Sequence, residues 1–354
     1  IQDFNRVDPA WAATLRPSRI PTIKGLHGSD GESLVSARQS RFGVKANLPS
    51  SVGSVRTMLE IDLFGVGPDE GETTLRLRHA YGEYKTLLGG QTHSLFMDIN
   101  VFPNVIDYWG PAGMVFLRNP QLRWTPIRGT HTVAVAIEQP SSDIDVGTFD
   151  RVIEALALDI RGVNRLPNVT WRYRLEHERL HFQVAGIFRD IGFETIKLPP
   201  PPGNDPKDQI FGWGVNLSSV ITVHDRDRII MSYVFGEGIA SYMNDGGVDL
   251  APSLAFPNLG KPQAVPLRGL VLYYDHYWCD QWSTSAGYSS TEVDNLDGQN
   301  GNAFRRGQYA SANLLHYPAD SVMYGVEYLW GKRTDKDGRS GFDHRMQVSF
   351  KYSF

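Results

Sequence analysis

The chain has 354 residues, with 35 Lys and Arg against 39 Asp and Glu, so its formal net charge is −4. This balance excludes nucleic-acid binding through overall charge, and a content of 41% hydrophobic and 21% charged residues excludes a disordered chain. The apolar stretches are all shorter than the roughly 20 residues of a membrane-spanning helix, and the single cysteine, Cys279, excludes an internal disulfide and a cysteine-based zinc site.

The segments between turns carry apolar residues on alternate positions, which is the two-residue period of a β-strand with two different faces. In the last segment, from Arg345 to Phe354, every odd position is polar and every even position is apolar. The alternating segments run to roughly ten residues, whereas strands of ordinary sheets are usually about 5 or 6 residues long. Their length is typical of a tilted strand that crosses a membrane.

Taken in chain order, fifteen segments are predicted to be strands, near residues 35–48, 54–64, 73–84, 87–96, 114–126, 130–139, 168–176, 179–191, 209–223, 228–242, 265–278, 282–293, 304–316, 322–333 and 342–354. Because bacterial barrels close with an even number of strands, we expect a sixteenth before Val35, with Ile1–Asn5 as its remnant, paired with the strand that Phe354 ends. The connections alternate between short and long. Residues 1–354 are therefore predicted to form one all-β domain, a 16-stranded antiparallel transmembrane β-barrel with short periplasmic turns and long external loops.

One motif suggests an enzyme: the segment His177–His181 fits the HExxH pattern of zinc proteases. That pattern places two histidines on one face of a helix, but here the flanks alternate like strands, in which four residues span about 13 Å. A turn between two strands is the preferred interpretation, so we predict no metal, cofactor or catalytic residue. A hydrolase site assembled from distant Ser, His and Asp residues stays open.

Positive charges outnumber negative charges on the polar face of the predicted strands. The apolar positions set the parity, and this parity directs eleven cations toward the interior: Arg41, Lys45, Arg76, Arg78, Arg123, Arg172, Arg174, Arg189, Arg268, Arg345 and Lys351. Four acids share that face: Glu60, Asp62, Glu176 and Glu327. A net positive lumen is therefore expected, as in pores that pass anions. The alternative is that the arginines pair with carboxylates across the barrel and leave no net field.

The long connection 97–113 is predicted to fold inward as a constriction loop. It contains Asp98, Asn100, Asp107 and Tyr108. We expect Asp98 and Asp107 to face the arginines and so to create a transverse field across the lumen. The alternative is that this connection covers the outer rim.

Aromatic residues are expected on the apolar face, where they form girdles at the two membrane interfaces. The residues assigned to this face are Trp171, Tyr173, Trp213, Tyr233, Tyr273, Tyr324, Tyr328 and Trp330. The alternative places them in the core of a soluble protein.

Several short phrases resemble the DcaP-like family of trimeric outer-membrane porins: Ala37–Gly43, Leu75–Glu83, Gly89–Thr92, Gly110–Gly113, Arg165–Pro167, Gly325–Gly331 and Phe350–Phe354. The resemblance implies a 16-stranded barrel, a homotrimer and uptake of small anions, dicarboxylates in particular. In that family a coiled-coil segment and a first strand commonly precede the position that matches Ile1. Arg38, Arg41, Arg76 and Arg78 lie within these phrases and are candidate solute contacts, and Gly65–Glu72 is a candidate latch onto a neighbouring subunit.

The resulting hypothesis is a passive porin of the bacterial outer membrane that carries small anionic solutes such as dicarboxylates, surrounded by outer-membrane lipid. Its pore-lining residues are predicted to be Arg38, Arg41, Lys45, Arg76, Arg78, Arg123, Arg172, Arg174 and Arg345. Two alternatives stay open: a barrel enzyme of the outer membrane, of the lipase or protease type, and a secreted β-protein that binds sugars.

Overall fold

A computed structural model describes residues 2–3, 5, 7–51, 53–65, 74–150, 159–196, 207–254 and 261–354. In these residues the strands are β1 (Gln2–Asp3), β2 (Glu32–Ser33), β3 (Arg41–Ser50), β4 (Gly53–Asp62), β5 (Arg76–Tyr84), β6 (Leu87–His93), β7 (Arg118–Ile127), β8 (His131–Glu138), β9 (Asp159–Gly162), β10 (Asn168–His177), β11 (Leu180–Ile196), β12 (Lys207–Val223), β13 (Asp227–Glu237), β14 (Leu250–Pro252), β15 (Pro262–Ala264), β16 (Pro266–Tyr277), β17 (Trp282–Val293), β18 (Phe304–Ala319), β19 (Val322–Asp335) and β20 (Ser340–Tyr352). Short 3-10 turns lie at Pro9–Trp11, Pro17–Arg19, Ile99–Val101, Gly147–Phe149 and Ala240–Tyr242. No helix in the described ranges is long and apolar enough to cross a membrane.

Fifteen of these strands match the fifteen predicted ones in order, and β1 supplies the sixteenth. Each long strand pairs antiparallel with the next long strand in the chain, which makes a continuous meander from β3 to β20. Gln2 of β1 lies opposite Met346 of β20 on one side and opposite Ser33 of β2 on the other. The chain continues from β2 into β3, which begins the meander. The predicted 16-stranded antiparallel sheet and the pairing of its N-terminal segment with the last strand are confirmed, with β20 ending at Tyr352 rather than Phe354.

The two rims of the barrel differ as the sequence predicts. Two residues separate β5 from β6 and β10 from β11, and three residues separate β12 from β13. At the other rim, much longer connections follow β6, β8 and β13, and the last of these contains the separate β14–β15 hairpin. The candidate latch Gly65–Glu72 falls, apart from Gly65, outside the described residues.

The outer face of the wall is apolar. Leu59 of β4, Leu122 of β7 and Leu272 of β16 all point outward, with 54%, 54% and 49% of their surfaces exposed. An apolar belt of this extent requires lipid around it, because in water such surfaces would associate with one another and the protein would aggregate. The wall therefore has the surface of a membrane-spanning barrel.

The predicted parity is wrong for β16. Tyr273 is 2% exposed and points inward, where its hydroxyl lies 2.9 Å from Ser311 Oγ. Arg268 lies on the outer face, 3.2 Å from Glu292. The inner face of β16 packs against apolar residues inside the barrel, so Leu270–Tyr274 is apolar on both faces. Alternation alone could not determine which face is which.

The core lies between the wall and chain segments inside the barrel. Phe96 and Met114, from the connection between β6 and β7, belong to one buried cluster with Ile187 and Val271 of the wall. Leu15, which precedes β2, belongs to the same cluster. These contacts hold two non-strand segments inside the barrel.

Candidate functional site

The connection Ser94–Leu117, called the inner loop below, runs inside the barrel along the wall. Its backbone carbonyls accept hydrogen bonds from inward-facing wall amides: Asn216 Nδ2 donates to Phe96 O (2.9 Å), Gln183 Nε2 to Met97 O (3.2 Å) and Asn313 Nδ2 to Asn104 O (2.8 Å). Irregular backbone at membrane depth needs such partners, because lipid supplies none. Short amide side chains at inward positions of β11, β12 and β18 are therefore what holds the inner loop.

Glu327 of β19 also attaches the inner loop to the wall. Its carboxylate accepts hydrogen bonds from the backbone N–H groups of Ile106 and Asp107, both at 2.8 Å. Asn313 Nδ2 and Gln347 Nε2 each donate to it at 3.0 Å. The buried carboxylate thus has four N–H donors, which compensate for its removal from water.

Gly113 brings the end of the inner loop onto the wall. Its N–H donates to Ser289 Oγ at 2.7 Å. A Cβ atom at this position would lie 2.2 Å from Ser290 O and 2.6 Å from Leu270 O, which is closer than atoms can approach. Only glycine therefore fits between the loop and strands β16 and β17.

The two loop aspartates do not face an open lumen. Asp98 and Asp107 are each 1% exposed. Ser218 Oγ donates to Asp98 at 2.6 Å, and Asp107 accepts from Thr14 Oγ1 (2.8 Å) and Tyr309 OH (2.9 Å). Both carboxylates attach the loop to its surroundings, and Asp98 lies 3.6 Å from Arg174, so the transverse field expected from this pair stays a prediction.

The surroundings of Asp98 and Asp107 shift the pKa values of these two carboxyl groups in opposite directions. Burial would raise the pKa of Asp98, but the contact with His181 (2.7 Å), the Ser218 hydrogen bond and the charge of Arg174 hold that pKa below its ordinary value. Burial raises the pKa of Asp107, and the charge of Arg345 with the hydrogen bonds of its neighbours only partly opposes this.

Acid is expected to loosen the inner loop through Asp98. A lowered folded-state pKa means that Asp98 stabilises the loop above its ordinary pKa of about 3.9, and this contribution is lost as the pH falls through the lowered value. Single-channel current noise should therefore rise as the pH is taken from about 6 to below about 3. The control is Asp98→Asn, which should be noisy even at the higher pH and less dependent on pH. Noise in the unmodified protein that is independent of pH over this interval would contradict the assignment.

The chain before β2 also contacts the inner loop, which the sequence did not reveal. The ring centroids of Trp11 and Trp109 lie 5.0 Å apart, edge to face. The guanidinium of Arg16 lies over both rings, at 4.1 and 4.5 Å from their centroids, and Arg16 Nε is 3.0 Å from Asp245 Oδ1. In the sequence, this contact was indicated only by the presence of Trp11 and Trp109 outside the predicted strands. Their contact ties the first external loop to the inner loop.

Arg76 and Arg78 belong to a paired network. Arg76 NH2 and Arg78 NH1 lie 2.8 and 2.9 Å from Asp62 Oδ2, and Arg78 also pairs with Glu60. The hydroxyl of Tyr108, from the inner loop, hydrogen-bonds to Asp62 and to both arginines. Structural pairing, the alternative considered from the sequence, is therefore what these two arginines adopt.

Two further predicted pore residues are enclosed. Arg345 is 0% exposed, between the wall and the inner loop, and acts on the buried Asp107. Arg38 is buried, donates from NH2 to Gly65 O at 2.9 Å and lies over the Phe64 ring. Both positions hold the structure together and do not face open solvent, which differs from the prediction.

The sequence of this chain matches the family model described as DcaP outer membrane protein over residues 19–354. The chain belongs to the DcaP outer membrane protein family. Its location is therefore the bacterial outer membrane. No curated protein sequence matches it significantly.

Solved structures of outer-membrane channels share the fold of this DcaP-family chain. The outer membrane channel DcaP of Acinetobacter baumannii is similar with a TM-score of 0.81 at 23% identity, over 100% of this chain and 94% of that one. An anion-selective porin from Comamonas acidovorans has a TM-score of 0.55 at 8% identity, over 89% of each chain. A loop-deletion mutant of the outer membrane protein OmpT of Vibrio cholerae has a TM-score of 0.53 at 14% identity, over 89% of this chain and 91% of that one.

On the inner face of the wall of this DcaP-family chain, several cations have no carboxylate at ion-pair distance among the described residues. They include Arg41, Lys45, Arg118, Arg123 and Arg172, which are called the unpaired cations below. Arg123 donates instead to Gln121 Oε1 and His93 O, and Arg118 lies over the Phe116 ring. Sequence reasoning missed Arg118, because it lies at the first position of β7, where the alternation is not yet established.

The register leaves room beside two of these cations. Arg123 lies opposite Ala136 of β8, and Arg172 lies opposite Ala134 of β8 and Ala185 of β11. The other neighbour of Arg123 is Leu88 of β6, so none of these positions places an acidic partner beside either arginine. Arg174 follows Arg172 by two residues on β10 and does have an acidic partner. It donates to Gln183 and lies 3.6 Å from Asp98.

The HExxH segment of this channel lies at a hairpin. His177 pairs with Leu180 at the turn between β10 and β11, so the two histidines do not share a helix face. His181 lies against Asp98 and Asn100 of the inner loop instead. Across the part of the chain that the structure describes, no group of three His, Cys, Asp or Glu residues could hold a metal ion.

Proposed function

We propose that this outer-membrane channel is a porin for the passive diffusion of small anionic solutes, with a preference for dicarboxylates. The observation that carries the proposal is the set of unpaired cations. Of the acids on the same inner face, Glu60, Asp62 and Glu327 are already bonded to arginines or to the inner loop. Guanidinium and ammonium groups without a carboxylate partner supply hydrogen-bond donors and positive charge to a passing anion.

The preference for two charges follows from the same groups. An anion with two carboxylates gains about twice the electrostatic energy of a monovalent anion in the same potential. Arg123 acts electrostatically on Arg172, so the two side chains are close enough for one solute to contact both. Succinate is therefore proposed to pass faster than a neutral molecule of equal size.

The inner loop is proposed to narrow the lumen. Its 3-10 turn Ile99–Val101 carries the exposed Ile99 and Asn100, and Asn100 Nδ2 lies 3.3 Å from His181. Tyr108 reaches the opposite side and contacts the arginines of β5. With Asp98 and Asp107 buried, Asn100 and Tyr108 are the residues of this loop proposed to contact solute or to place the groups that do.

We also propose a homotrimer, on the basis of the family resemblance rather than of a residue pattern. A catalytic function is not proposed, because the solved structures that share this fold are channels and porins.

The test is the reversal potential of the unmodified channel across a planar bilayer in a KCl gradient. The proposal expects a sign that corresponds to anion preference, and a larger flux of succinate than of erythritol, a neutral molecule of similar size. The preference should shrink at about 1 M salt, where the Debye length is about 3 Å. A cation-selective reversal potential would end the proposal.

A further inference from the structure

Four cations lie on the outer face of the wall, toward the rim with the long loops. Arg268 of β16 is opposite Glu292 of β17, which is opposite Arg306 of β18. Arg305 is the extra residue of a bulge in β18, and Lys332 of β19 is opposite Gln308 on the next rung. Arg268, Arg305 and Arg306 all act electrostatically on Glu292, so these side chains are close together. They form a basic patch, defined as Arg268, Arg305, Arg306 and Lys332.

The patch lies just beyond an aromatic girdle. Trp330 is opposite Ala310 on one side and His344 on the other, and Tyr288 is opposite Ala310 from β17. Lys332 follows Trp330 by two residues, which is roughly 7 Å along a strand. Outward-facing Trp and Tyr mark the boundary between acyl chains and headgroups. The basic patch is therefore at the level of the polar headgroups of the outer leaflet.

Among the described residues, acidic neighbours neutralise only part of the charge of this patch. Its acidic neighbours are Glu292, which pairs with Arg268, and Asp294, which acts on Arg268 from the end of β17. Arg306 Nε has no hydrogen-bond partner, and Lys332 makes no hydrogen bond or ion pair with any described residue. Four cations against two acids leave about two positive charges on a surface otherwise adapted to lipid.

We propose that the basic patch binds the phosphate-bearing headgroup of a glycolipid of the outer leaflet. Arginine donates paired hydrogen bonds to phosphate oxygens, and each basic residue near an anionic lipid surface adds to the attraction. The rings of Trp330 and Tyr288, directly below, supply an amphipathic surface for the sugar and the upper part of the acyl chains. The patch lies at the level of the lipid headgroups, and aromatic rings lie directly below it. Both features favour a phosphate on a lipid headgroup over a soluble anion.

The test is native mass spectrometry of the purified channel in mild detergent, titrated with diphosphorylated lipid A. The variant carries Arg305→Gln, Arg306→Gln and Lys332→Gln, which leaves the Arg268–Glu292 pair intact. Its affinity for lipid A is expected to fall at least about tenfold. The matched control removes three cations from turns at the opposite rim: Lys85→Gln, Arg179→Gln and Arg226→Gln. It should bind lipid A like the unmodified channel.

Two further arms distinguish the source of the phosphate. Dephosphorylated lipid A should bind the unmodified channel as weakly as lipid A binds the patch variant, and inorganic pyrophosphate should fail to compete with lipid A at equal concentration. Equal affinity of the patch variant and the control variant would overturn the proposal, as would effective competition by pyrophosphate. The same spectra give the oligomeric state. If the patch variant lost its assembly while the control kept it, the patch would be a contact between copies of the chain, and the lipid proposal would be wrong.

Discussion

Replacing Arg123 and Arg172 together by Gln is expected to lower the ratio of Cl⁻ to K⁺ permeability about fivefold in 0.1 M KCl. A unit charge at about 8 Å in water changes the energy of an ion by roughly 0.5 kcal/mol, and screening at 0.1 M removes about half of this. Two such charges act with opposite sign on the anion and the cation. The reversal potential in a KCl gradient, variant against unmodified channel, measures the change.

The choice of these two arginines follows from their surroundings. Neither has a carboxylate partner among the described residues, and their strand neighbours are alanines and Leu88, so Gln should be accommodated without an orphaned buried acid. Replacing Arg76 and Arg78 instead would leave Asp62 buried without its cations. The matched control is Arg268→Gln with Arg306→Gln, which removes two cations from the outer face. An unchanged reversal potential in the Arg123 and Arg172 variant, or an equal change in the control, would contradict a lumen governed by these cations.

Glu327→Gln is expected to release the inner loop and to destabilise the folded channel by about 3 kcal/mol. An amide has one acceptor oxygen, so its NH₂ group would face backbone N–H donors that both carboxylate oxygens now satisfy. Leaving a buried donor unsatisfied costs about 1–3 kcal/mol. Larger and noisier single-channel conductance, together with a lower temperature of unfolding in detergent, would report the release.

The control for this variant is Glu178→Gln, at the exposed turn between β10 and β11, which neutralises one carboxylate that the inner loop does not contact. It should leave both readouts unchanged. If Glu327→Gln kept the conductance and noise of the unmodified channel, the carboxylate would not be what holds the loop in position.

The sequence by itself determined the wall of this protein. A strand of a barrel has one face toward lipid along its whole length, so alternation repeats at every second residue and can be recognised locally. The fifteen strands and the outward face of Trp171 and Tyr173 follow from it. The pairing of Gln2 and Asp3 with the last strand follows instead from the even number of strands in bacterial barrels. Both faces of β16 meet apolar atoms, so alternation could not predict that Arg268 lies on the outer face and Tyr273 on the inner face.

The tertiary structure alone decided what fills the barrel and which charges are neutralised. Glu327 bonds to Ile106 and Asp107 across more than 200 positions of sequence, and Trp11 meets Trp109 through a similar long-range contact. No local period encodes such contacts, because they depend on where a loop without regular structure returns to the wall. The same limit applied to charge: parity placed Arg78 and Arg123 on one face, but only the positions of Asp62 and Ala136 distinguish a paired arginine from an unpaired one. Electrostatic interaction depends on distance in space, and the sequence specifies only the order of the residues.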